Sequence, residues 1–175
     1  MVTYEGIKTQ IRTWVANAIP GREAVTANQN APKPPKPFFT YQINTFNKLG
    51  FDSVTKPDGS GTAKYLGTEE FTVMLQGFGD GVIEETRTLK KGLQTLAILE
   101  TFRDAGFIVF NSSPILDITG LDDSEFEERI SMDIFCRTDT EFSDTSFGLI
   151  EDIAIEGTIE TSGNPDRIIN ILIDS

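Results

Sequence analysis

The residues best suited by type to do chemistry are five carboxylates in seven positions: Asp122, Asp123, Glu125, Glu127 and Glu128. Clustered acids can hold Mg²⁺ or Ca²⁺ through oxygen, or act as the acid and base of a glycosidase. The spacing argues against both. Asp-Asp-Ser-Glu-Phe-Glu-Glu lacks the Asp-x-Asp-x-Asp-Gly order of a calcium loop, and on a strand Glu127 and Glu128 point to opposite faces. An acidic edge facing water or another subunit is the plainer reading.

Gly77, Gly79 and Gly81 lie between a strand pattern and a helix pattern, where a dinucleotide-binding turn would sit. That fingerprint needs its third glycine one position later, where Val82 stands, so a strand-to-helix turn accounts for the glycines. Cys136 falls on the apolar side of its strand pattern and reads as a buried, inert thiol. The chain has no histidine, which excludes Ser-His-Asp and Cys-His catalysis and every His-bearing zinc site. A single cysteine also rules out an internal disulfide framework and a cysteine metal cluster. No catalytic residue, metal ligand or cofactor is assigned, and an acidic metal-dependent enzyme is the weakest of the alternatives.

The segment Asn28, Gln29, Asn30, Ala31, Pro32, Lys33, Pro34, Pro35, Lys36, Pro37 is the most distinctive in the chain. Its four prolines fix φ and push the residues before them towards extended backbone. Such a strut loses little conformational freedom on ordering. It reads as an arm, 28–37, built to touch another protein. Its Pro-x-Pro-Pro-x-Pro order also fits a ligand for an SH3-type groove or a plain linker.

At 175 residues with 38% hydrophobic content, the chain fits one domain, 1–175, with a sizeable core. Its longest apolar runs are too short to span a bilayer, and the N-terminus lacks the layout of a secretory signal. With one cysteine, a reducing, intracellular site of folding is expected. The net charge of −12 opposes the clinging of Lys and Arg to phosphate, yet suits a surface past which DNA slides.

Around these residues the periodicity predicts a helix over 3–18, with Ile7, Ile11, Trp14, Val15 and Ala18 on one face. Strands follow at 23–27 and 38–46. A long loop or hairpin, 48–68, carries turn chemistry at Lys-Pro-Asp-Gly. A strand over 69–76 leads to a helical stretch, 82–105, that Asp80 can cap, with Gly92 and Thr95 as the points at which it can divide into two shorter helices. Ile83, Leu89, Leu93, Leu96 and Phe102 form its predicted buried face, and Gly106 its stop. Short strands are predicted at 107–110 and 115–118, then a long one over 126–137 with Phe126, Ile130, Met132, Ile134 and Cys136 on the core side. Alternation resumes over 149–160, and the apolar run 168–173 within a C-terminal tail, 162–175, offers a template for pairing. The fold class is α+β: a mainly antiparallel sheet with two to three helices on one face, plus the arm and the hairpin.

With Ala27-Asn-Gln-Asn-Ala-Pro-Lys-Pro-Pro-Lys-Pro-Phe-Phe-Thr40, the chain resembles the neck or tail-terminator proteins of long-tailed bacteriophages. Glu70-Phe-Thr-Val-Met-Leu-Gln76 before Phe78-Gly79, Leu99-Glu-Thr-Phe-Arg-Asp-Ala-Gly106 and Phe126-Glu-Glu-Arg129 fit the same pattern, over roughly residues 10 to 160. The resemblance implies a structural, tail-terminator-like subunit of a virion ring, six-fold in expectation. Such a ring sits on the end of the tail tube and docks to the head connector, with the tail sheath as a further neighbour. DNA passes through without specific binding. A tail-tube or tail-completion protein is the alternative. The expected interface residues are Asn28, Gln29, Asn30, Pro32, Lys33, Pro34, Pro35, Lys36 and Pro37 of the arm, with Phe126, Glu127, Glu128 and Arg129 of the strand edge. Lys33 and Lys36 are expected to meet acids of the adjacent subunit.

Overall fold

The computed structural model describes residues 2–28, 30, 32–122, 125–145, 155–158 and 168–171. Helix α1 spans Tyr4–Ala18, and the side chain of Thr3 caps it by accepting from the Gly6 amide at 3.0 Å. That bond satisfies one of the amides a helix start leaves without a partner. The i, i+4, i+7, i+8 spacing puts Ile7, Ile11, Trp14 and Val15 on one buried face, as expected of an amphipathic stripe.

Eleven strands follow among the described residues. They are β1 (Ala24–Thr26), β2 (Phe38–Lys48), β3 (Ser53–Val54), β4 (Ala63–Phe78), β5 (Phe107–Ser112), β6 (Leu116–Asp117), β7 (Gly120–Asp122), β8 (Glu125–Glu127), β9 (Arg129–Asp144), β10 (Ile155–Thr158) and β11 (Ile168–Ile171). Helices α2 (Val82–Gly92) and α3 (Leu96–Asp104) lie between β4 and β5. The main sheet runs β1-β2-β4-β9-β5, with β3 beside β4 and β6 beside β9. Its first pair, β1 with β2, is parallel; β2 with β4, and β9 with both β5 and β6, pair antiparallel.

The core lies between one sheet face and the helices. Phe39, Tyr41, Phe71, Val73, Leu75, Ile130, Met132, Ile134 and Cys136 alternate inward along β2, β4 and β9. They meet Trp14, Leu89 and Phe102 from the helices. Trp14 meets Phe102 edge-on at 5.8 Å, Phe102 lies 5.2 Å from Phe107, and Phe107 lies 5.6 Å from Phe71. This aromatic chain ties α1, α3, β5 and β4 together, and burial of each ring contributes about 1.5–3 kcal/mol. Gly106 ends α3 with φ +92°, the left-handed turn that glycine adopts without strain.

Three expectations are corrected. Leu96 is 70% exposed, because the chain breaks at Gly92–Thr95 and the second helix restarts with a new phase. The long strand expected over 126–137 is two strands separated at Glu128. A one-residue interruption exchanges the faces, so Phe126 turns to solvent and Glu127 turns inward. The run 168–171 pairs antiparallel with Ile155–Thr158 of the same chain, Ile155 opposite Ile171; residues 172–173 lie outside the described ones. The strands β2 and β4 also extend beyond the limits expected for them.

By contacts the chain forms two compact units, one of residues 1–53 and 65–142 and one of 54–64 and 143–175. In the second, Asp58 organises a turn by accepting from the Ser60 hydroxyl at 2.6 Å and from the amides of Ser60 and Thr62 at 2.9 and 3.0 Å. These bonds, the Ser60 hydroxyl foremost, hold its carboxyl below the usual range.

Candidate functional site

The proline segment and the Phe126–Arg129 motif meet in space. Lys36 forms an ion pair with Glu127, and Arg129 pairs with the other oxygen of the same carboxylate. Glu127 is 8% exposed. Burial alone would raise its pKa, but hydrogen bonds and charge from Lys36 and Arg129 outweigh it and hold the carboxyl below its ordinary range. The Arg129 guanidinium also sits 5.6 Å from the centre of the Phe78 ring, and Phe78 stacks on Phe38 at 5.2 Å.

The next residue does a different job. The Glu128 carboxylate accepts from the Ile83 amide at 2.8 Å and the Gly81 amide at 3.3 Å, at the start of α2. An anion there satisfies orphan donors and complements the helix dipole. Asp80 was the expected cap; instead Gly81 occupies the cap position with φ +84°, and no side chain of its own serves. The Glu128 carbonyl also accepts from the Gly79 amide at 2.9 Å. A Cβ at Gly79 would stand 3.0 Å from the Lys36 Cβ and 3.2 Å from the Pro37 Cα. The arm therefore crosses the strand-to-helix turn so closely that a methyl group there would crowd Lys36 and Pro37.

Of the expected interface residues, Lys36, Glu127 and Arg129 come together here. Asn28, with φ +61°, donates to the Gln42 side chain at 3.4 Å and lines the adjoining concavity with Pro32, Lys33 and Pro34. Asn30, Pro32, Lys33 and Pro35 are exposed, while Pro34 and Pro37 are half-buried; Gln29 lies outside the described residues. Lys36, expected to meet a neighbour's acid, meets Glu127 of its own chain. Phe126 is 80% exposed and faces away from the cluster. Sequence reasoning gave Phe78 and Gly79 no part in the site, because their partners Arg129, Lys36 and Pro37 are far along the chain; it overlooked Leu121, which lies opposite Phe126.

Beside the cluster, the arm, β1, β2 and the end of β4 enclose a concavity of about 350 Å³, whose lining includes Val25, Lys33, Pro34, Phe38, Phe78 and Glu127. Among the described residues no group of three or more His, Cys, Asp and Glu side chains is arranged to hold a metal ion. Burial pushes the Cys136 thiol up to about 12, so it stays protonated and unreactive near neutral pH. No described helix is long and apolar enough to cross a membrane. What the arrangement offers is shape, charge and apolar surface.

Residues 5–164 match the family model of the phage neck terminator protein. The chain belongs to the phage neck terminator family. It is thus a structural component of a phage virion. The match takes in both the proline arm and the Phe-Glu-Glu-Arg motif of this neck terminator, the two segments that Lys36 and Glu127 join. No curated protein matches the neck terminator chain.

Proposed function

We propose that copies of this neck terminator close into a ring of six at the end of the tail tube, at the head–tail junction. One face of the ring stops tube growth, the other receives the head connector, and the tail sheath is a further neighbour. DNA passes through the middle without specific binding, and the protein turns over no substrate. The family match over residues 5–164 carries the reading.

Charge supports it, since each copy brings a formal −12 and a negative lumen does not grip phosphate. The arm 28–37 and the 126–129 edge are the proposed contact residues. Native mass spectrometry of the purified chain, with electron microscopy, tests the proposal. A closed ring of six copies supports it; a strict monomer at high concentration, or an open filament, counts against it.

A further inference from the structure

The two short strands β7 and β8 form a two-stranded sheet apart from the main one, with Leu121 directly opposite Phe126. Residues paired in this way share one face. Leu121 is 64% exposed and Phe126 80%, and exposed Leu116 and Ile118 lead up to them. Scattered single apolar residues need no explanation, but a contiguous apolar knob marks a contact surface. An isolated two-stranded ribbon is also marginal in water without something to pack on. The ribbon is held at its base, because Glu127 is tied to Lys36 and Arg129 and Glu128 to α2.

Successive side chains of a strand point to opposite faces. Phe126 therefore faces solvent on one side of β8, while Glu127 lines the concavity beside the arm on the other. That concavity has apolar walls at Val25, Pro34, Phe38 and Phe78, polar ones at Thr26, Thr40 and Gln76, the paired Lys36 and Glu127, and a further base at Lys33, which forms no ion pair among the described residues. The ribbon sequence Gly-Leu-Asp-Asp-Ser-Glu-Phe-Glu carries acids and no base. Glu127 apart, which faces the concavity, the acids of that sequence are opposite in charge to Lys33, the exposed apolar pair matches the apolar walls, and one chain carries both, back to back.

We infer that the Leu121–Phe126 knob of one copy seats in the socket between the arm and β1–β2 of the next copy. The inference rests on the ring reading and supplies its contact. Knob and socket lie on opposite sides of one strand, so the contact is heterologous: each copy gives a knob to one neighbour and a socket to the other.

The test uses the full-length chain. Phe126→Ser with Leu121→Ser changes exposed side chains only, so its thermal melting should match the parent while self-association weakens at least tenfold. Lys33→Glu should weaken association by a similar factor. Independently, Phe126→Cys mixed with Pro34→Cys should give a disulfide-linked pair under mild oxidation, and neither protein alone should; buried Cys136 stays out of this chemistry. Rings that persist in the Ser variant, with no cross-link in the mixture, would overturn the contact and leave the ring reading intact. A parent chain that never associates would overturn both.

Discussion

Lys36 and Glu127 form an ion pair in which the carboxylate is buried and the ammonium remains half in water. The pair holds the proline segment against the end of β8, with Arg129 at the start of β9 closing the carboxylate from the other side. A buried carboxylate is tolerated only when paired and hydrogen-bonded, so Glu127 depends on both cations.

Glu127→Gln should therefore destabilise the fold by about 1–2 kcal/mol at pH 7, the lower end for a charged hydrogen bond because both cations reach solvent. The folded pKa of Glu127 is depressed. Its contribution is present above the ordinary glutamate range and drains away as pH falls through the depressed value. Denaturant unfolding of both proteins at pH 7 and in acid measures this: the gap should close in acid. An equal gap at both pH values contradicts the assignment.

Glu128→Ala should remove the cap of α2 and cost about 1 kcal/mol. Asp80→Ala should cost much less, because Asp80 is exposed and makes no capping bond. Thermal melts of the two single variants decide which carboxylate serves the helix; equal losses would refute the cap described here.

Gly79→Ala should destabilise by about 1–3 kcal/mol. The residue has φ +98°, where an L side chain is strained, and its Cβ would press on Lys36 and Pro37. Amide hydrogen exchange at Lys33 and Lys36 should speed up as the arm is displaced. Unchanged melting and exchange would show that the arm does not rest on this turn.

The fold was largely legible where periodicity ran unbroken. Helix α1 and the inward positions of β4 and β9 follow from apolar spacing, because each buries one face against one core. What could not be read locally were partners brought in from afar. Glu128 reaches the α2 amides from a different element, so Asp80, adjacent in sequence, looked the better cap. The same interruption turned Phe126 from an expected core position into a solvent-facing one. The ion pair of Lys36 with Glu127 joins two segments that sequence marked separately, and nothing in either announced the other.

Cys136 should resist thiol reagents in native buffer at pH 8 and react fully in denaturant. Its pKa of about 12 and complete burial leave almost no exposed thiolate. Rapid labelling of the native protein would contradict the packing of β9.

On the proposed function, this chain works by closing a circle with its own copies. Native mass spectrometry of the purified protein across micromolar concentrations, beside negative-stain images, measures that directly. A single closed species of six copies, lost in the Phe126→Ser and Leu121→Ser variant, is the predicted result. A monomer at every concentration, or chains growing without end, would contradict it.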